Sequence, residues 1–308
     1  MAALAVKVGD LPFRNPLLLA SGIWGESGDS LLGAYTAGAG GVVTKSIGSA
    51  PRAGYPNPTV EELGRCGFLN AMGLPNPGID AYPVEIAHAR AHGVPVVGSL
   101  FGHDAAEFAR LAGRMEATGV VALELNLSCP HAEGLGSEVG QDPDRVREIT
   151  RAVRAAVRCP VWVKITPNAA APEELARAAE EGGADAITAI NTVRGMAIDP
   201  TLRRPVLAHG LGGLSGPAIK PIGLACVWKI WEAVRIPVVG VGGIGSASDV
   251  VEYLLAGATA VQIGTAVAFE GIGLFGRIAG ELPALLDSLG FDGPAAAVGA
   301  AHAGRQPH

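Results

Sequence analysis

The stretch VVALELNLSCPH, Val120–His131, decides how this chain is to be read. Val121, Leu123, Leu125 and Leu127 alternate with small or polar residues, the pattern of a buried strand whose end carries Asn126, Ser128 and Cys129. Pro130 stops that strand, and the following HAEGLGSEVG, His131–Gly140, reads as a mobile loop. A thiol at the lip of such a loop can reach a bound substrate and be shielded from water. Cys129 is therefore the candidate catalytic group. Free cysteine is also among the most buried residue types, so an inert, packed Cys129 is the alternative.

Outward from this stretch, seven more apolar runs follow the same rule. They are Pro16–Gly22, Val42–Ile47, Val94–Gly102, Val161–Pro167, Ala184–Thr192, Val238–Ile244 and Ala260–Ala266. Helical segments separate them: an Ala- and Gly-rich stretch after the first, then Val84–His92, Ala105–Thr118, and Asp142–Arg158 with Asp142-Pro143 as its start signal. Continuous apolar strands alternating with helices imply a parallel sheet covered on both faces, and eight units at this length favour a closed (β/α)8 TIM barrel. Leu4–Leu11, ended by Pro12, adds a short amino-terminal hairpin strand, and residues 1–308 are read as a single barrel domain. The Ala- and Gly-rich tail after Gly290 is expected to fray.

Composition narrows the function. A chain of 308 residues with 49% hydrophobic content can bury a large core, while a formal charge of −6 argues against a nucleic-acid surface. The four cysteines, Cys66, Cys129, Cys159 and Cys226, are widely spaced without a CxxC pair, so neither a metal site nor a disulfide framework is indicated. No apolar run reaches about 18 residues, which predicts a soluble, cytoplasmic protein.

In a (β/α)8 barrel the chemistry sits at the carboxyl ends of the strands. There the sequence has Ser21, Lys45 and Ser46, Ser99, Asn126, Lys164 and Thr166, Asn191 and Thr192, Gly242 and Gly243, and Gly264 and Thr265. The glycines of GVGGIGSASD precede a helix started by Ser246 or Ser248, and Gly264-Thr265 repeats the arrangement, so a phosphorylated ligand is expected after strands seven and eight. Lys45 and Lys164 each lie between apolar strand residues, where an unpaired charge is costly; each should have an anionic partner. A lysine in such a mouth suits a flavin, which gains negative charge on reduction, or equally a Schiff base of the aldolase kind.

ELNLSCPH, NAMGLPNPG (Asn70–Gly78), VKITPN (Val163–Asn168), AINTVRGMAID (Ala189–Asp199), GGLSGPAIKP (Gly212–Pro221), GVGGI and QIGTA together resemble a class 1 dihydroorotate dehydrogenase, from roughly Leu17 to Ala268. The stretch from Ile190 to Gly216 is most similar to the NAD-linked, heteromeric 1B members rather than the fumarate-using 1A homodimers. The cysteine separates both from the class 2 membrane enzymes, which have serine in that role. The resemblance implies that dihydroorotate is oxidised to orotate in pyrimidine (UMP) synthesis, Cys129 taking the C5 proton under a closing lid loop and one FMN per chain taking the C6 hydride. It further implies FMN contacts from Ser21, Lys45, Ser46, Asn126, Lys164, Ile190, Gly216, Gly242, Gly243, Gly264 and Thr265. Substrate contacts are implied for Lys45, Asn70, Ala71, Met72, Gly73, Leu74, Asn126, Asn191 and Thr192, and no metal is required.

Ser99 stands where the family often has asparagine, which puts a direct flavin contact there in doubt. The 1B likeness implies a homodimer core joined in a heterotetramer by electron-transfer subunits carrying FAD and a [2Fe–2S] cluster, for which this chain lacks clustered cysteines. Other readings of the same residues are a uracil- or thymine-reducing flavin domain like that of dihydropyrimidine dehydrogenase, a stand-alone dihydroorotate dehydrogenase using another acceptor such as fumarate, a flavin-free lysine barrel, and a non-enzymatic scaffold.

Overall fold

The computed structural model describes residues 3–127 and 139–303. Eight parallel strands form a closed barrel: Leu17–Leu19, Gly41–Val43, Val96–Leu100, Ala122–Asn126, Val161–Ile165, Ala186–Ala189, Val238–Val241 and Ala258–Ile263, numbered one to eight below. Each pairs with the next, and strand eight returns to strand one in the register Val261↔Leu17. All eight fall within the apolar runs anticipated from sequence or, at Gly41 and Ala258, begin one or two residues earlier.

Strand alternation sorts the core into two parts. Outward residues such as Leu123, Leu125, Val161, Val163 and Ile187 are buried beneath the helices with Ile149, Val153 and Leu175. Inward residues Leu18, Val43, Val97, Ala122, Trp162, Ala186, Val239 and Ala260 form a separate cluster inside the barrel. One step further along the strands the inward positions turn polar: Ser99, Glu124, Lys164, Thr188 and Gln262 are all buried. The lumen is thus apolar toward the amino ends of the strands and polar toward the carboxyl ends.

Several helices start where a side chain satisfies their free amides. Asp104 caps Ala105–Glu116, Asp142 caps Pro143–Ala156, and Ser246, the first of the two serines considered, caps Ala247–Leu255. The anticipated helix near Val84 spans Tyr82–Ala91.

Two strands, Val6–Val8 and Leu11–Phe13, make the amino-terminal hairpin, turning at Gly9 with φ 59°. Pro12 does not end it: it sits inside the second strand opposite Lys7, tolerated because a two-stranded edge has a side that needs no donor. Val6, Val8 and Phe13 complete the inner cluster, with the Phe13 ring edge-on to Trp162 at 6.2 Å, so the hairpin plugs the barrel's amino end.

Two excursions at the carboxyl end were not anticipated. Val193–Gly195, Gly212–Ser215, Phe68–Asn70 and Val60–Glu62 form an antiparallel rim sheet in that order, and Ile198–Asp199 pairs with Arg204–Pro205. The tail also differs from expectation as far as Ala303. His302 stacks on Trp228 at 3.5 Å and its Nε2 lies 3.1 Å from the Ala256 carbonyl, because two tryptophans of helix Lys220–Ala233 offer it a flat surface. No helix among the described residues is long and apolar enough to cross a membrane.

Replacing Phe13 by Ala empties the hairpin's main contact with the barrel interior. It should lower unfolding stability by about 3–5 kcal/mol in urea denaturation, the usual cost of removing a buried Phe ring.

Candidate active site

The mouth is built from strand ends that hydrogen bond sideways. Ser21 Oγ lies 3.3 Å from Ser46 Oγ, which lies 2.9 Å from Ser99 Oγ. Asn126 Nδ2 donates to Ser46 Oγ at 3.1 Å, and Asn191 Nδ2 donates to Asn126 Oδ1 at 3.2 Å. Five side chains from strands one, two, three, four and six are thereby joined in one polar chain. Ser99, doubtful as a ligand contact from sequence, is fully buried and its hydroxyl engages Ser46.

The rim sheet extends this chain on one side. Asn70 Nδ2 donates to the Gly213 carbonyl at 3.1 Å, and a β-carbon on Gly213 would lie 2.1 Å from Thr192 Oγ1, so only glycine lets Thr192 pack there. The Thr192 amide bonds Asn191 Oδ1 at 2.8 Å. Asn70, Asn126, Asn191 and Thr192 therefore form one contiguous group. Asn168, which sequence reasoning passed over although it closes VKITPN, donates to the Thr192 carbonyl and accepts from the Arg194 amide. Ala71 to Leu74 continue from the rim strand, with Gly73 and Leu74 in the left-handed region at φ 73° and 55° and the Met72 carbonyl accepting from the Tyr55 amide.

Across the mouth, the turns after strands seven and eight meet Gly216. Gly242 and Gly243 have φ of 129° and 67°, and a β-carbon on Gly243 would lie 2.9 Å from the Gly216 carbonyl and 2.8 Å from Lys220 Cβ. One on Gly216 would lie 3.1 Å from Thr265 Cγ2. Helix Thr265–Glu270 begins at Gly264. Ile190, buried, donates its amide to the Val241 carbonyl.

Beside these turns Lys220 Nζ bridges Asp249 at 2.7 Å and Glu252 at 3.0 Å, while Asp249 Oδ2 accepts from the Gly245 and Ser246 amides. Burial works to raise the Asp249 carboxyl, but Lys220, the Gly245 amide and Ser246 outweigh it and hold it below the usual carboxylate range.

Both expected anionic partners exist. Lys45 Nζ meets Glu26 Oε1 at 2.5 Å, and Lys164 Nζ lies 3.6 Å from Glu124 Oε1. Sequence reasoning named neither carboxylate. Glu26 carried no pattern, whereas Glu124 was visible as a charge on the inward face of strand four, between Ala122 and Asn126. Cys129 and His131 lie outside the described residues. The chain leaves strand four at Leu127, and the Gly140 amide donates back to the Leu127 carbonyl at 3.0 Å. Of the other cysteines, burial pushes Cys159 up to about 12 and Cys226 to about 11, so both remain thiols at neutral pH, and Cys66 is exposed.

A closed eight-stranded barrel with a polar, side-chain-built mouth at its carboxyl ends is the architecture of a (β/α)8-barrel enzyme. The sequence profile described as dihydroorotate dehydrogenase matches residues 3–286. The chain belongs to the dihydroorotate dehydrogenase family, a family of oxidoreductases. It is 47% identical over 287 residues to the dihydroorotate dehydrogenase B (NAD(+)) catalytic subunit of Methanocaldococcus jannaschii, covering 92% of this chain and 93% of that protein. The proteins of the same name from Pyrococcus horikoshii and Methanosarcina mazei are 50% and 48% identical, covering 94% and 95% of this chain and 94% and 93% of theirs.

Ser46→Ala should cost about 1–3 kcal/mol in chemical denaturation, because Asn126 and Ser99 lose their shared partner in a buried setting. For Asp249→Asn the pH dependence is the test. A carboxyl depressed in the folded state adds stability above its unfolded value near pH ~4 and loses it as the pH falls further. The stability gap between native and variant protein should therefore be full at pH 7 and narrow below about pH 4.

Proposed function

We propose that this chain, read as one FMN-binding barrel domain, oxidises dihydroorotate to orotate in pyrimidine synthesis. The observation that carries the reading is the side-chain hydrogen-bond chain from Ser21 through Ser46 and Asn126 to Asn191, with Thr192 and Asn70 set beside it by bonds that involve the backbone, in a chain matched to this family almost end to end.

The residues present fit a phosphorylated flavin. Gly216 and Gly243 pack too closely on each other, on Lys220 and on Gly67 to carry side chains, which leaves bare backbone beside Gly264 and Thr265 and opposite hydroxyl and amide groups of both hydrogen-bonding senses. FMN, when bound, supplies the hydride acceptor. Gly242, Gly243, Gly264 and Thr265, with Gly216, would hold its phosphate, while Ser21, Lys45, Ser46, Asn126, Lys164 and Ile190 would line its ring.

The amides of Asn70, Asn126 and Asn191, the Thr192 hydroxyl and the backbone of Ala71 to Leu74 suit a ligand that presents imide and carboxylate groups together, and Lys45 would counter its charge. Because the Asn191 and Thr192 positions are fixed by Asn126 and Asn168, the substrate's reacting carbons would be oriented before any proton moves. Cys129, three residues beyond Asn126 in sequence, is assigned the removal of the C5 proton. Cys159, at the amino end of strand five, and Cys226, inside helix Lys220–Ala233, lie away from the carboxyl-end mouth.

The relatives' names as NAD(+)-type catalytic subunits support a partner subunit that passes electrons onward to NAD. We assign FAD and a [2Fe–2S] cluster to that partner, and a homodimer of this chain to the core of a heterotetramer.

The purified chain, supplied with FMN and kept anaerobic, should lose its flavin absorbance near ~450 nm on adding dihydroorotate. Cys129→Ala should slow that bleaching by about 10²–10⁴-fold, the typical contribution of a positioned acid–base group. A flavin band untouched by dihydroorotate would overturn the substrate, and failure to take up FMN would overturn the cofactor.

A further inference from the structure

We infer that Glu124 is a positioning residue that holds Lys164 and offsets its charge, so that it lowers the reduction potential of the flavin bound above. The inference rests on the proposed placement of Lys164 at the flavin edge.

Glu124 is completely buried on the inward face of strand four, and its two carboxylate oxygens are used unequally. Oε2 accepts from Thr188 Oγ1 at 3.0 Å on strand six and from Gln262 Nε2 at 2.5 Å on strand eight. These two bonds fix the carboxylate plane from across the lumen. Among the described residues Oε1 has no hydrogen-bond partner, and it lies 3.6 Å from Lys164 Nζ, whose side chain is 8% exposed. A buried anion with one oxygen fully engaged and the other turned toward an ammonium is a device for holding that ammonium. Strand pairing brings the two together: Asn126 sits opposite Lys164 and Glu124 opposite Trp162, so the carboxylate lies one inward step below the lysine. Lys164 thus stands between the polar floor of the lumen and the mouth.

The electrostatic consequence has a definite sign. An unopposed ammonium beside a ring that gains negative charge on reduction favours the reduced form. A carboxylate behind that ammonium cancels part of the field in a low-dielectric interior, so the pair draws electrons less strongly than the lysine would alone. Glu124 therefore keeps the flavin a better donor to the next carrier.

The test is a dye-coupled redox titration of the FMN-loaded chain, read by absorbance, for the native protein, Glu124→Gln, Glu124→Asp and Lys164→Met. Glu124→Gln should raise the midpoint potential by about 30 mV, which is a tenfold rise in the ratio of affinities for reduced over oxidised FMN in a two-electron couple. Glu124→Asp, which keeps the charge, should stay nearer the native value. Lys164→Met should lower the potential, and adding Glu124→Gln to it should bring it back up toward the native value, because the carboxylate's own field reaches the ring with or without the lysine. A Glu124→Gln potential equal to or below native, with Lys164→Met still lowering it, would overturn the role of Glu124 alone. No effect of Lys164→Met would overturn the placement of the lysine and the inference with it. Should Glu124→Gln fail to fold, Glu124→Asp decides: its carboxylate, drawn back from Lys164 by one methylene, should raise the potential by a smaller amount, and a potential at or below native overturns the proposal.

Discussion

Strand eight hydrogen bonds to strand one, and this seam removes the last free edge from the sheet. Once the barrel is closed, every strand is buried on both faces, by helices outside and by the opposite wall inside. The outer face can be wholly apolar. The inner face cannot be uniform, because the lumen must be plugged at one end and open to a ligand at the other. Phe13 and Trp162 serve the first need; Ser99, Glu124, Lys164, Thr188 and Gln262 begin to serve the second. Each polar group placed inside must find a partner across the wall, and the chain from Ser21 to Asn191 is what results.

The barrel was legible in the sequence because its signal is local and repeated. Each strand announces itself by an apolar run, and some of the helices by a cap such as Asp142 or Ser246. The candidate site residues were legible for the same reason, since architecture alone sends strand ends to one mouth. The need of Lys45 and Lys164 for anions followed from the cost of burying charge, yet the partners did not. Glu26 is on a loop without pattern, and the pairing of Glu124 with Lys164 depends on the register between strands four and five, which periodicity does not contain.

The rim sheet was illegible for a different reason. Its strands are three or four residues long, Val60–Glu62 has no buried position, and Gly212–Ser215 opens with two glycines, so neither length nor alternation marks them. What marks them is their partner, which lies in another part of the chain. The tail shows the same thing in miniature: His302 is ordered by Trp228, and nothing near it in sequence says so.

The rim sheet's inner seam joins Asn70 to Gly213, residues 143 positions apart. Closing so long a segment has a large entropic cost unless the barrel has already drawn its ends together. The seam can therefore form only after the barrel has brought the two excursions side by side. Asn70 and Thr192 owe their common place at the mouth to a pairing that neither segment could make alone. The barrel supplies the frame, and this hydrogen-bonded clasp between two distant excursions completes one wall of the candidate site.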